Sequence, residues 1–131
     1  MAEHPNVALV RRAMQAMNEM DMSRANEEMA VVDAFMADDI VWHEIGRAEP
    51  RRGKDELRAE MSSMGDTTIK YELHDVVAND DHAIALGTAT ATRNGKTLVY
   101  RTAEIFHIRD GKATERWAFS DDTAEIVAFF A

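Results

Sequence analysis

Two tetrapeptides of one design, Arg93-Asn94-Gly95-Lys96 and Arg109-Asp110-Gly111-Lys112, constrain this chain more than any other feature. Asn or Asp followed by Gly accepts the positive φ angles of a tight hairpin, so each reversal joins neighbouring antiparallel strands. The strands they bracket are long: His82 to Arg93, Lys96 to Ile108, and a third beyond Lys112. A three-stranded meander follows. Upstream, Ile69, Tyr71 and Leu73 alternate with Thr68, Lys70 and Glu72, which is the period of a half-buried strand, and Asn79-Asp80-Asp81 turns the chain into His82. On the His82 strand, Ile84, Leu86 and several threonines alternate with Ala83, Ala85, Gly87, Ala89 and Ala91. One of its faces is almost without side-chain bulk, so another part of the chain must lie close against it.

The first third reads differently. Val7, Val10, Met14 and Met17 recur at the three-and-four spacing of one helix face. A second helix, capped by Asp21 or Ser23, carries Ala25, Met29, Val32 and Met36 with Phe35 beside them and ends before Asp38-Asp39. A β-prone run from Ile40 to Ile45 follows, then a loop from Gly46 to Gly53 and a short helix marked by Leu57, Met61 and Met64. After Ser120 a last helix is expected. Asp122 and Glu125 form its capping box, and Ile126, Val127, Phe129 and Phe130 its buried side. Helices first and antiparallel strands later predict an α+β fold in one domain spanning residues 1–131.

Composition narrows the function classes. Lys and Arg number 15 against 24 Asp and Glu, a net charge of -9 that repels a phosphate backbone, so neither nucleic acid nor an anionic membrane is an expected partner. No cysteine occurs, which excludes disulfides, thiolate metal sites and thiol nucleophiles and fits a reducing, cytoplasmic setting. His4, His74, His82 and His107 show no short metal-binding spacing, there is no GxSxG elbow, and the glycines form no phosphate or dinucleotide loop. Neither a metal nor a cofactor is expected. The nine methionines, on helical stripes, read as core filling.

Two polar residues interrupt apolar surroundings. Glu104 shares a strand face with Leu98, Tyr100, Thr102, Phe106 and Ile108, so burying that face buries a carboxyl. An unpaired buried carboxyl favours its neutral form and can donate a hydrogen bond; the alternative is pairing with an arginine or a place near the sheet edge. His43, within Ile40-Val41-Trp42-His43-Glu44-Ile45, is a candidate general base, although a lone histidine is more often a hydrogen-bonded structural residue. Asp121 stands where the last strand leaves the sheet, within reach of a pocket mouth, although a capping role suits it too.

The tract Phe35-Met36-Ala37-Asp38-Asp39-Ile40-Val41-Trp42-His43, the run Glu49-Pro50-Arg51-Arg52-Gly53 and the stretch from Glu104 to Lys112, taken in order, resemble the ketosteroid isomerase-like (NTF2-like) superfamily over nearly the whole chain. The stretch from Gly111 to Trp117, followed by Asp121, is more similar to its SnoaL-like branch, which includes polyketide cyclases. The resemblance implies a cone, in which a curved sheet wraps the N-terminal helices around an apolar pocket, and often a homodimer across the sheet's outer face. It also places His43 where ketosteroid isomerases carry their catalytic aspartate, Glu104 at their protonated aspartate and Asp121 at the acid and base of the cyclases. Their oxyanion-hole tyrosine has no counterpart on the first helix, where the matching position is Ala13.

The last hairpin leaves two registers open. A two-residue turn at Asp110-Gly111 puts Trp117 opposite Glu104, with Glu115 and Trp117 facing the pocket. A three-residue turn with a bulge puts Arg116 opposite Glu104 and turns Arg116 and Ala118 inward, giving the carboxylate an ion-pair partner. An apolar ring suits the pocket and favours Trp117. The expected function is binding of a small hydrophobic molecule and cofactor-free isomerisation or cyclisation by proton transfer. His43 would be the base, Glu104 the donor to a developing oxyanion, Asp121 a second acid or base, and Trp42, Tyr100, Phe106 and Trp117 the walls. The rival is a non-catalytic binding or dimerisation module in which His43 and Glu104 satisfy each other.

Overall fold

A computed structural model describes residues 3–18 and 25–131, the side chains of 25–28 excepted. The expected caps at Asp21 and Ser23 lie outside the described residues. Helix α1 (Pro5–Asn18) buries Val7, Val10, Ala13, Met14 and Ala16, the apolar stripe expected of it. Helix α2 (Ala25–Phe35) buries Val32 and Phe35 but leaves Met29 exposed. Strand β1 (Met36–Trp42) then starts directly, four residues before Ile40, so Met36 belongs to a strand and the Asp38-Asp39 pair lies inside it instead of ending a helix. Both residues are exposed, so water solvates their carboxylates, and Lys54 Nζ lies 3.2 Å from Asp38.

Strand β2 (Arg51–Arg52) is two residues long, and helix α3 (Gly53–Ser63) buries Leu57 while Met61 stays exposed. Strands β3 (Thr68–Ala78), β4 (His82–Arg93), β5 (Lys96–Arg109) and β6 (Lys112–Ser120) form the meander, and helix α4 (Thr123–Phe130) closes the chain. Both hairpins use two-residue turns with positive φ at each central residue, 52° and 76° at Asn94-Gly95 and 52° and 75° at Asp110-Gly111. That is the twist-matched turn the dipeptides predict. Asp122 Oδ1 accepts from the Glu125 backbone N–H at 3.0 Å, as the capping box requires of its first residue, but Val127, expected to be buried, is exposed.

The six strands lie in the order β2-β1-β6-β5-β4-β3, with β1 parallel to β6 and all other neighbours antiparallel. The sheet is curved and unclosed. Helix α1 lies against β3 and β4, and α3 against β1. Between helices and sheet the core is anchored by Val10, Ile40 and Phe106, all fully buried, with Phe35 meeting Phe106 edge to face at 5.4 Å. This is the α+β architecture expected from the order of elements. The inner face of β4 is the alanine and glycine face, and it pairs residue by residue with the inner face of β5: Ala83 with Phe106, Ala85 with Glu104, Gly87 with Thr102, Ala89 with Tyr100.

Candidate functional site

The last hairpin decides what faces the interior. Arg109 pairs with Lys112 and Ile108 with Ala113, but His107 then pairs with Glu115, leaving Thr114 as the extra residue of a bulge. Downstream of it every side chain of β6 changes face: Phe106 opposes Arg116, Ile105 opposes Trp117 and Glu104 opposes Ala118. Arg116 and Ala118 point inward and Trp117 points out. Neither register read from sequence is reproduced as a whole, since the turn has two residues and the bulge lies within the strand. The expectation that Trp117 lines the interior is corrected.

Glu104 is 7% exposed and is one of two buried polar residues among those described. Arg116 donates to its Oε1 from Nη2 at 2.5 Å and from Nε at 3.1 Å. The same guanidinium donates from Nη1 to the backbone oxygen of His43 at 3.0 Å and lies 4.2 Å from the centre of the Trp42 ring. Trp42 thus faces the interior, as do half-buried Tyr100 and fully buried Phe106. A carboxylate held by two guanidinium nitrogens acts as an acceptor, not as the neutral donor expected for an unpaired group.

A tyrosine lies beside this pair. Thr102 Oγ1 donates to Tyr71 Oη at 3.1 Å, and Thr102 stands two residues before Glu104 on the same face of β5. Burial pushes the Tyr71 phenol up to about 12, and the Glu104 charge adds to that against the Thr102 hydrogen bond. The Tyr100 phenol is also raised, first by burial and then by Glu104. Tyr71 fits because Gly87 has no side chain: a Cβ there would stand 2.5 Å from both Tyr71 Oη and the Glu72 carbonyl oxygen. Tyr71 was not among the residues singled out from sequence. Its signal was Gly87 within the alanine run, a gap that something had to fill.

The other sequence-derived candidates are elsewhere. His43 follows inward-facing Trp42 and so turns to the outer face, where its Nε2 is 2.7 Å from Glu115 Oε2 and its ring stacks on Trp117 at 5.1 Å. His43 and Glu104 therefore do not satisfy each other. Asp121 is exposed and paired with Arg101 at 2.9 Å, which holds its carboxyl below the usual range together with its own backbone N–H. The structure brings together Glu104, Trp42, Tyr100 and Phe106, and leaves His43, Asp121 and Trp117 outside that group. Next to the interior, Glu44 lies in a second polar cluster with Arg51 and Glu60: Arg51 Nε is 3.4 Å from Glu44 Oε1, and its Nη2 is ion-paired with Glu60. Burial and the Glu60 charge push the Glu44 carboxyl up against the pull of Arg51. Among the described residues no His, Asp and Glu converge as a metal site.

Outward, the sheet is apolar in rows. Leu86, Ala103 and Phe119 are directly opposed across β4, β5 and β6, and Val77, Ile84, Ile105 and Trp117 form the next row. Phe119 is 58% exposed and Val99, on the same face, 62%. No described helix is long and apolar enough to cross a membrane.

No curated protein matches the chain in sequence. Among solved structures, a protein from a soil-derived mobile gene cassette is similar at 24% identity over 96% of both chains, with a TM-score of 0.81. A candidate SnoaL-like polyketide cyclase from Jannaschia is similar at 13% identity over 100% of this chain and 98% of its own, with a TM-score of 0.75. A third, TerC crystallised with polyporic acid, is similar at 19% identity over 97% and 98%, with a TM-score of 0.71. These likenesses establish the fold, an NTF2-like cone. Residues 10–116 match the sequence profile of the SnoaL-like domain. With most of its length within that match, the chain belongs to the SnoaL-like domain family.

Proposed function

We propose that this chain binds a small hydrophobic organic molecule on the inner side of the sheet and moves a proton on it without a cofactor, as an isomerase or cyclase does. The observation that carries this reading is Glu104. It is buried, it has one carboxylate oxygen held by Arg116, and it stands among Trp42, Tyr100 and Phe106. Such a group is costly in an apolar interior, and that cost is what a site for polar chemistry incurs. Oε1 is committed to the guanidinium, which leaves Oε2 as the acceptor for a ligand proton. His43 and Asp121, on the outer side, take no part. The likeness to the polyporic acid complex supports an organic ligand, and the absence of cysteine supports a cytoplasmic setting.

Native mass spectrometry with small ketones, lactones and phenols tests this. Binding should be present in the wild type, weaker by about tenfold in Glu104→Gln and unchanged in His43→Ala. A folded wild type that binds none of them sinks the reading.

The outer face supports a second reading, as a dimerisation surface. The rows through Leu86 and Phe119 and through Ile105 and Trp117 form one apolar expanse on a sheet face that no described helix covers. Expanses of this kind mark association sites, and a second copy of the chain is the partner proposed here.

A further inference from the structure

Tyr71 belongs to two features at once. Its ring lines a groove of about 180 Å³ between α1 and β3, together with Met14, Leu73 and the more polar Arg11, Gln15 and Asn18. Its phenol oxygen lies at the inner end of that wall, bonded by Thr102 and two positions along β5 from Glu104. Residues so spaced are about 7 Å apart along a strand.

The chemistry of that hydrogen bond matters. Thr102 donates and the phenol accepts, so the Tyr71 proton is bonded to none of the described residues. The phenol is fixed from below by the missing side chain at Gly87, from the side by Thr102, and along its backbone by Asn18 Oδ1, which accepts from Tyr71 N at 2.9 Å. A rigid donor, held with its acceptor capacity used and its proton free, is the arrangement that recognises an oxygen acceptor. The high position of its titration keeps that proton in place throughout the neutral range.

We propose that Tyr71 is the hydrogen-bond donor for a carbonyl or phenolic oxygen of the ligand, which enters through the groove between α1 and β3. This rests on the reading of Glu104 as the interior acceptor and deepens it: the ligand spans the two groups, with its oxygen on Tyr71 and its acidic hydrogen toward Glu104. The groove also suggests a size. A cavity of about 150 Å³ takes a benzene ring, and drug-sized ligands occupy pockets of about 300 Å³ or more. A one- or two-ring carbonyl or phenol is of the size that seats in this groove.

Indanone and indane, which differ by a carbonyl at nearly constant shape, test this by protein-observed NMR titration of the wild type, Tyr71→Phe, Thr102→Val and Glu104→Gln. The wild type should prefer indanone, and Tyr71→Phe should lose about tenfold in indanone affinity with indane unchanged. Thr102→Val should weaken indanone less, because it loosens the donor without removing it. Phenylalanine keeps the ring in the Gly87 slot, so a folded variant is expected, and unchanged indane binding verifies it. Indanone affinity that is the same in Tyr71→Phe as in the wild type, with Glu104→Gln weakened, overturns the Tyr71 assignment while the Glu104 reading stands. A wild type that binds neither compound, or both equally, overturns the assignment too.

Discussion

Arg116 and Glu104 meet through two guanidinium nitrogens on a single carboxylate oxygen, and neither side chain is more than about an eighth exposed. A pair desolvated to this degree is sensitive to the loss of one partner, because the other is left as a buried charge. Arg116→Met should cost about 3 kcal/mol of unfolding free energy, and adding Glu104→Gln should restore part of it. Urea denaturation of the two single variants and the double variant checks the sign of the coupling.

Gly87 is fixed by what stands above it. Alanine there drives its Cβ against Tyr71 Oη and the Glu72 carbonyl, and the carbonyl belongs to a paired strand that cannot move aside. Gly87→Ala should lower stability by about 2 kcal/mol, visible as a reduced thermal midpoint. Combining it with Tyr71→Phe should not rescue it, since the clash with Glu72 remains.

Glu44 sets a pH dependence. Its carboxyl is raised by burial and by Glu60. A carboxyl whose folded value exceeds its unfolded one contributes stability that is complete below the unfolded value, near 4.5, and is lost as pH climbs through the raised folded value. The urea midpoint of the wild type should therefore fall relative to that of Glu44→Gln as pH rises through this window. Parallel curves would contradict the assignment. Asp121 runs the other way: its lowered carboxyl contributes stability that is lost as pH falls through its folded value, below 3.8.

Asp122 caps α4 through the Glu125 amide. Asp122→Ala should cost about 1 kcal/mol, with circular dichroism showing a small loss of total helix. The helix is otherwise held by Phe130, whose ring meets Tyr100 edge to face and whose carbonyl accepts from Arg93.

The outer face makes its own prediction. Phe119→Lys with Leu86→Lys places two charges in the middle of the apolar rows without touching the interior. Sedimentation velocity should show a dimer for the wild type and a monomer for the variant, with indanone binding per chain unaltered. A wild type that sediments as a monomer at all concentrations removes the dimer from consideration.

Much of the fold could be read from the sequence because its signals are local. The Asn-Gly and Asp-Gly turns specify the hairpins, the spacing of Val7, Val10 and Met14 specifies α1, and the interruption of an apolar face by Glu104 marks the interior. What escaped depends on distant partners. Strand β1 begins at Met36 because it pairs in parallel with β6, more than seventy residues away, and no glycine or proline announces the change from helix. Tyr71 alternates like any strand residue, and only Gly87, sixteen positions on, reveals that it has a slot. The face reached by Trp117 or Arg116 turns on one bulged threonine that resembles its neighbours.

That threonine is a frameshift within the tertiary structure. Seat Thr114 opposite His107 in an unbulged ladder and every later residue of the strand exchanges inside for outside: the indole would enter the interior and the guanidinium would leave it, stranding the carboxylate of Glu104. The polarity of this interior is thus set by a count of residues as much as by their kinds. The same letters paired without the bulge would enclose a different chemistry.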